Sequence, residues 1–257
     1  MSGEKITSEI TGKKIFFLYP PAPVQNQIIT ELAQHEYEVY IAKAHNGLMQ
    51  TLKKYPDSVI FINIDEQLSE AEWEKWITGL ITAFPDIKIG VFSASTSEEL
   101  KTKYVNKLHA SLGFMPLKLD MSKAAEKILE IMKILHAKGR RKYLRASCER
   151  EETPASINMP LDGDFINGFI RDISVVGVSC VFENAPELAK NSLHKDIQIR
   201  LQSILVKVEA VVLGSRDIGD QKIYVMLFTP RTDPEVKVKI RKYIQHNLQA
   251  KMDHEIR

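Results

Sequence analysis

Hydrophobic positions along the chain follow two different regimes. Through the first half, short unbroken apolar runs alternate with stretches in which apolar residues recur every three or four positions. Ile15-Phe16-Phe17-Leu18-Tyr19 is the first run, closed by Pro20-Pro21-Ala22-Pro23. A run that is apolar at every position fits a strand buried on both faces. Val24, Ile28 and Leu32 then recur at helical spacing, Glu38 to Ala42 read as a second strand, and Leu48, Met49 and Leu52 mark a second helix. Pro56-Asp57 opens the clearest buried strand, Ser58 to Ile64. Ser69 with Glu72 three residues on is a capping box, and its helix carries Trp73, Trp76, Ile77 and Leu80. Ile87 to Phe92 is a fourth strand, Thr96 and Glu99 cap a fourth helix, and Leu112 to Leu117 make a fifth strand. Ser122 starts a last helix with Ala125, Ile128, Leu129, Met132 and Leu135 on one face, and Gly139 is placed to end it. Five strand–helix alternations with short links predict an α/β doubly wound parallel sheet over residues 13–138, behind a polar, flexible tail of residues 1–12.

After Gly139 the period changes from 3.6 to two. Ala155 to Met159 and Phe165 to Arg171 read as strands around an Asp162-Gly163 turn, and Val178 to Phe182 as another. Ile197, Ile199 and Leu201 alternate with polar neighbours, as do Val206, Val208 and Ala210; the Gly219-Asp220 turn leads to Ile223, Val225 and Leu227. About six short antiparallel strands at this spacing predict a small barrel. Asp233-Pro234 is an N-cap with proline at the first helical position, and Val236, Ile240, Tyr243 and Ile244 form the apolar stripe of a closing helix. This second domain covers residues 139–257.

Composition narrows the classes. The chain has 257 residues, 44% hydrophobic and 26% charged, with a formal net charge of +2. That is enough apolar material for two cores. It carries no overall field for a polyanion, so nucleic acid is not an expected partner and any anion site is local. Two cysteines, Cys148 and Cys180, are too few for a disulfide framework or a zinc site and read as small core residues in a reduced, cytoplasmic protein. No apolar run is long enough to cross a bilayer, and the first residues lack the pattern of a signal peptide. The seven histidines are scattered without metal-ligand spacing.

Local charge is concentrated at the change of regime. Arg140-Arg141-Lys142-Tyr143-Leu144-Arg145 holds four cations in six residues, and within it Arg141 and Arg145 form an R-x-x-x-R pair. Downstream, Asp172-Ile173-Ser174-Val175-Val176-Gly177 is a D-x-S-x-x-G turn between two predicted strands. With both motifs in this order, residues 139–250 resemble the PilZ family, which binds the bacterial second messenger cyclic di-GMP. The resemblance implies a PilZ-type antiparallel β-barrel with a C-terminal helix and a non-catalytic receptor that needs no cofactor or metal. It implies a ligand site of Arg140, Arg141, Arg145, Asp172, Ser174 and Gly177. It also implies relay to an unidentified protein partner in motility, adhesion or surface polysaccharide control. The first half resembles a receiver domain of two-component signalling. The stretch from Pro56-Asp57 to Asn63 looks like that family's third strand, Ser93-Ala94 like the end of its fourth, and Lys118 stands near its lysine. Phosphotransfer needs a carboxylate cluster around a divalent metal and an acceptor Asp at the end of the third strand. Tyr19-Pro20-Pro21 supplies no acid, the acceptor position holds Ile62 or Asn63, and Asp65 nearby reads as a turn or capping residue. The half is therefore a pseudo-receiver, a scaffold for docking or dimerisation; homodimerisation stays open.

The residue types suit the ligand. Arginine's planar fork pairs bidentately with phosphate oxygens or with guanine O6 and N7, and its flat face stacks on a base. Asp172 is an acceptor for the N1–H and N2–H edge of guanine, Ser174 both donates and accepts, and Gly177 lets backbone approach closely. Arg140 is the auxiliary contact, and ligand can bind singly or as an intercalated pair. Free, the like-charged arm is expected to be mobile; bound, it folds over the ligand. The alternatives are a protein-docking scaffold with an idle ligand site, and a binder of nucleic acid or a membrane surface through basic patches. The patches are the arginine arm and the closing-helix residues Lys237, Lys239, Arg241 and Lys242, which otherwise form a solvated face.

Overall fold

The computed structural model describes residues 12–118, 120–148 and 155–256. The predicted tail falls, but for Gly12, outside the described residues. The chain divides into two compact units: residues up to Lys142 together with those from Gln249 onward, and Tyr143–Leu248.

In the first unit, strands β1 (Ile15–Leu18), β2 (Val39–Ala42), β3 (Val59–Asn63), β4 (Lys88–Ser93) and β5 (Gly113–Pro116) form one sheet in the order β2-β1-β3-β4-β5. Every pairing is parallel. This is the 2-1-3-4-5 order of flavodoxin-like folds, with its chain reversal between β1 and β3. Strands β1 and β3 are buried along their whole length, which is why their sequences carry no polar alternation. Helix α1 covers residues 24–34; its first part, Val24–Ile29, is wound in the wider π pattern, and Thr30–Gln34 is α-helical. Helices α2 (His45–Leu52) and α3 (Glu70–Ala83) follow. Helix α4 covers 98–107, and α5 is Met121–Ile134. One face of the sheet, with Phe17, Phe61 and Phe92, packs against Val24, Ile28 and Leu32 of α1 and Ile128 and Met132 of α5.

Helix α3 begins with the predicted capping box, Ser69 and Glu72 each satisfying the other's backbone N–H. Two other caps differ from expectation. Helix α4 is capped by Ser97, whose hydroxyl accepts from Leu100 N, rather than by Thr96. Helix α5 is capped by Asp120, accepting from Ser122 N, rather than starting at Ser122. Nor does Gly139 end α5. His136 adopts a left-handed φ of 46°, and the bonds His136 N to Lys133 O and Ala137 N to Met132 O close a Schellman motif three residues earlier.

The second unit is a closed antiparallel barrel. Strands β7 (Ser156–Leu161), β8 (Asp164–Ser174), β9 (Gly177–Phe182), β10 (Leu193–Leu201), β11 (Ile204–Ile218) and β12 (Gln221–Phe228) pair in the order β8-β7-β10-β11-β12-β9, and β9 returns to β8. Closure leaves no open edge. The β7–β8 hairpin turns on Asp162 and Gly163, with φ of 52° and 92°, as a type I′ turn requires. A two-residue strand that periodicity does not reveal, β6 (Ala146–Ser147), pairs with Ile173 and Asp172 of β8. Alternate residues fill the interior: Ile157, Ile170, Ile173, Val178, Cys180, Ile199, Val208, Tyr224 and Met226, with both cysteines buried.

Helix α6 (Pro234–Ile256) starts at Asp233, whose carboxylate accepts from Glu235 N at 2.8 Å. Ile240, Tyr243 and Ile244 join the barrel core. Its basic face is not wholly solvated, because Lys237 and Arg241 are half-buried. Residues from Gln249 on stand with the first unit rather than with the barrel. There β2 is an edge strand, and the Gln249 amide accepts from Ile41 N at 2.8 Å and donates to Ile41 O at 2.9 Å. It satisfies the edge as a neighbouring strand would. No helix among the described residues is long and apolar enough to cross a membrane.

Candidate functional site

The D-x-S-x-x-G segment forms the end of β8, the turn at Val175-Val176 and the start of β9. Ser174 and Gly177 face each other across this tight turn. A bulge between Ile170 and Asp172 shifts the β8 register against β9, so that Ile170, Ile173, Val178 and Cys180 point into the core. Asp172 and its register partner Ser179 lie between those residues and share the outer face of the barrel.

Arg145 immediately precedes β6. The pairing of Ala146 with Ile173 and Ser147 with Asp172 holds the arginine at the Asp172 end of β8. Arg145 Nη1 donates to Asp172 Oδ1 at 3.3 Å, with the arginine side chain half exposed and the aspartate about one-third exposed. The second carboxylate oxygen accepts from the Ser179 hydroxyl. The two motifs thus meet on one surface through Arg145 and Asp172. Tyr143 and Leu144 pack partly buried against the barrel core and anchor the arm.

Ser174 and Gly177 are placed differently from what their chemistry suggested. Ser174 is buried; its hydroxyl donates to Gly177 O at 3.2 Å and accepts from Val176 N at 3.4 Å. Its donor proton and one acceptor position are used inside the turn. Gly177 is not in the left-handed region, and a Cβ there would stand 2.4 Å from the Met226 carbonyl oxygen of β12. The close approach it permits is to the neighbouring strand. Arg140 and Arg141 are exposed and belong to the end of the first unit. Arg140 there lines an open cleft of about 500 Å³ with Lys13, Asp57, His136 and Lys138. Ser179 is the residue that sequence reading missed. Its signal is the register, a hydroxyl directly across the ladder from the motif aspartate.

Among the described residues, the receiver-like half carries no comparable constellation at the carboxyl ends of its strands. Asn63 is buried and donates from Nδ2 to Tyr19 O at 3.1 Å, and its Oδ1 accepts from Asp65 N at 3.3 Å. The Asp65 carboxylate accepts from Ser93 Oγ at 2.7 Å and from Ala94 N at 2.5 Å, tying the loop after β3 to the end of β4. Lys118 is exposed. Among the described residues no group of three or more His, Cys, Asp or Glu could hold a metal ion.

Residues 139–246 match a family model described as "PilZ domain". No curated protein matches the chain. Among solved structures, the PilZ domain with c-di-GMP of YcgR from Escherichia coli is 19% identical, covering 45% of this chain and 96% of that one, with a TM-score of 0.39. The K. pneumonia MrkH–c-di-GMP complex is 20% identical, covering 46% of this chain and 57% of that one, at 0.40; the chain thus spans little more than half of that protein. A response regulator from Thermotoga maritima is 18% identical, covering 48% and 98%, at 0.39. At these identities and scores, none of the three bears on ligand or partner. The arginine arm, the D-x-S-x-x-G hairpin and the closed six-stranded barrel all lie in the matched stretch, and residues 139–246 are a PilZ domain.

Proposed function

We propose that the chain is a non-catalytic receptor that binds cyclic di-GMP through this domain and relays its level to a protein partner. The observation that carries the reading is the meeting of Arg145 and Asp172. Residues from two motifs 27 positions apart in the chain come together on the outer face of the barrel. Arg145 supplies a planar, permanently charged fork for phosphate or guanine, and Asp172 an acceptor for the guanine N1–H and N2–H edge. Their ion pair is half exposed, so it costs little to open, on the order of 1 kcal/mol or less. The arginine is free to turn toward an anionic ligand while the aspartate stays on its strand. Arg141 and Arg140 extend the same arm and supply the further cations that a two-phosphate ligand calls for. Ser174 and Gly177 contribute by shaping the hairpin that presents Asp172.

The downstream role is control of motility, adhesion or surface polysaccharide through that partner, with the receiver-like unit as the docking element. Isothermal titration of the full chain with cyclic di-GMP tests the reading. Saturable binding is expected, weakened at least tenfold by Arg141→Ala or Asp172→Ala, since each removes a charge-assisted contact. No heat from the wild-type chain leaves the docking scaffold with an idle site; binding by both variants equal to that of wild type places the ligand elsewhere and overturns the assignment of Arg141 and Asp172.

A further inference from the structure

Resting on the reading above, we infer that Ser179 is a specificity-determining positioning residue: it orients the Asp172 carboxylate so that the site distinguishes guanine from bases that lack the N2 amino group. Four observations converge. Asp172 and Ser179 are direct register partners across the β8–β9 ladder. The Ser179 hydroxyl donates to Asp172 Oδ2, while Arg145 holds the other oxygen at 3.3 Å. Ser179 is 6% exposed, whereas the Arg145 side chain is 50% exposed. The bulge beside Asp172 and the inward-pointing Ile173, Val178 and Cys180 leave this pair on the outer face.

The chemistry follows from the number of lone pairs. An ionised carboxylate offers about four acceptor positions. Ser179 and Arg145 take one on each oxygen, and one on each oxygen remains. Two acceptors side by side match the two parallel N–H groups of the guanine edge only when the carboxylate plane is set. The terminal torsion of aspartate is broad and sets no plane by itself. Arg145 is a poor anchor for it, being long, half exposed and needed by the ligand. Ser179 is short, buried and fixed to a central strand of a closed barrel, so it keeps its hold on Oδ2 when the arginine turns away. Losing this hydroxyl frees the carboxylate to rotate and to accept a single N–H from any purine with about equal ease. The cost therefore falls on discrimination as well as on affinity.

The test is titration of the full chain with cyclic di-GMP and with its analogue in which hypoxanthine replaces guanine, for wild type, Ser179→Ala, Ser179→Thr and Asp172→Ala. Wild type is expected to prefer the guanine ligand clearly. Ser179→Ala should weaken cyclic di-GMP by roughly tenfold, the scale of one hydrogen bond to a charged group, and erase most of the preference. Ser179→Thr keeps the hydroxyl and should restore both. A purely structural role would lower affinity for the two ligands in parallel and leave their ratio unchanged, which overturns the inference. So does a Ser179→Ala protein that binds and discriminates like wild type while Asp172→Ala loses binding. If Asp172→Ala binds as well as wild type, the ligand site itself is misplaced, and the role of Ser179 goes with it. Matching circular dichroism of all four proteins establishes that the barrel is folded in each.

Discussion

Replacing Gly177 with alanine separates two roles for the motif glycine, closeness to a ligand and closeness to a strand. The added Cβ would stand 2.4 Å from the Met226 carbonyl oxygen and 3.2 Å from Leu227 Cδ2. A carbon–oxygen contact relaxes to about 3.3 Å, so β9 and β12 must part by roughly 0.9 Å. Ordinary strand spacing is about 4.8 Å, and a shift of that size stretches the ladder at Leu227↔Gly177 and Met226↔Val178. The carbonyl belongs to the backbone of a closed barrel and cannot swing aside as a flexible side chain would. Overpacking of this kind costs about 1–3 kcal/mol, and one weakened ladder bond adds about 1 kcal/mol. A destabilisation of about 3 kcal/mol speeds native-state amide exchange by roughly a hundredfold wherever exchange proceeds through unfolding of the barrel. Hydrogen exchange with mass spectrometry on peptides covering Gly177–Phe182 and Gln221–Phe228 reads this directly, without ligand. Unchanged exchange there, together with loss of cyclic di-GMP binding, would refute the packing role and restore the glycine to the ligand.

Three further outcomes follow from the packing. Ser69→Ala removes one half of the α3 capping box and should cost about 1 kcal/mol; both tryptophans, Trp73 and Trp76, lie on α3, so urea unfolding followed by their fluorescence reports it. Gly47→Ala should disrupt the end of α6, since its Cβ would meet Ile256 O at 1.8 Å; faster exchange confined to α2 and residues 249–256 is the expected signature. Burial pushes the Cys180 thiol up to about 12, so the folded protein at pH 8.5 should resist alkylation there and react only after unfolding, with site mapping by mass spectrometry as the check.

Much of the fold is legible in the chain because its signals are local. Unbroken apolar runs such as Ile15–Leu18 and Val59–Asn63 are strands covered on both faces, and the Ser69–Glu72 box declares its own helix. Period-two alternation marks the barrel strands in the same way. What is illegible depends on contacts between distant residues. The α5 terminus falls at His136, where tertiary packing carries a non-glycine residue into the left-handed region and leaves Gly139 unused. Thr96 and Ser97 are chemically near-equivalent caps, and backbone geometry selects Ser97. The short strand β6 has no periodicity to display, yet it delivers Arg145 to Asp172.

The candidate site divides along the same line. Arg145 and Asp172 were marked by residue type and are brought together. Ser174 and Gly177 were marked by the same motif, but one spends its hydroxyl on the turn and the other makes room for β12. Ser179 has no motif to announce it, because only the ladder register shows it facing the aspartate. Asp65, an acid near a receiver's acceptor position, is occupied with Ser93 and Ala94, a long-range link from the loop after β3 to the end of β4 where its neighbours in sequence suggest only a local turn or cap.

The most direct measurement of the central claim is a hydrogen-exchange footprint of the full chain with and without saturating cyclic di-GMP. Ligand held by the arginine arm and Asp172 should slow exchange in peptides spanning residues 140–148 and 172–179, with little change on the far strands β10 and β11. Protection that falls elsewhere, or none at saturation, would contradict it.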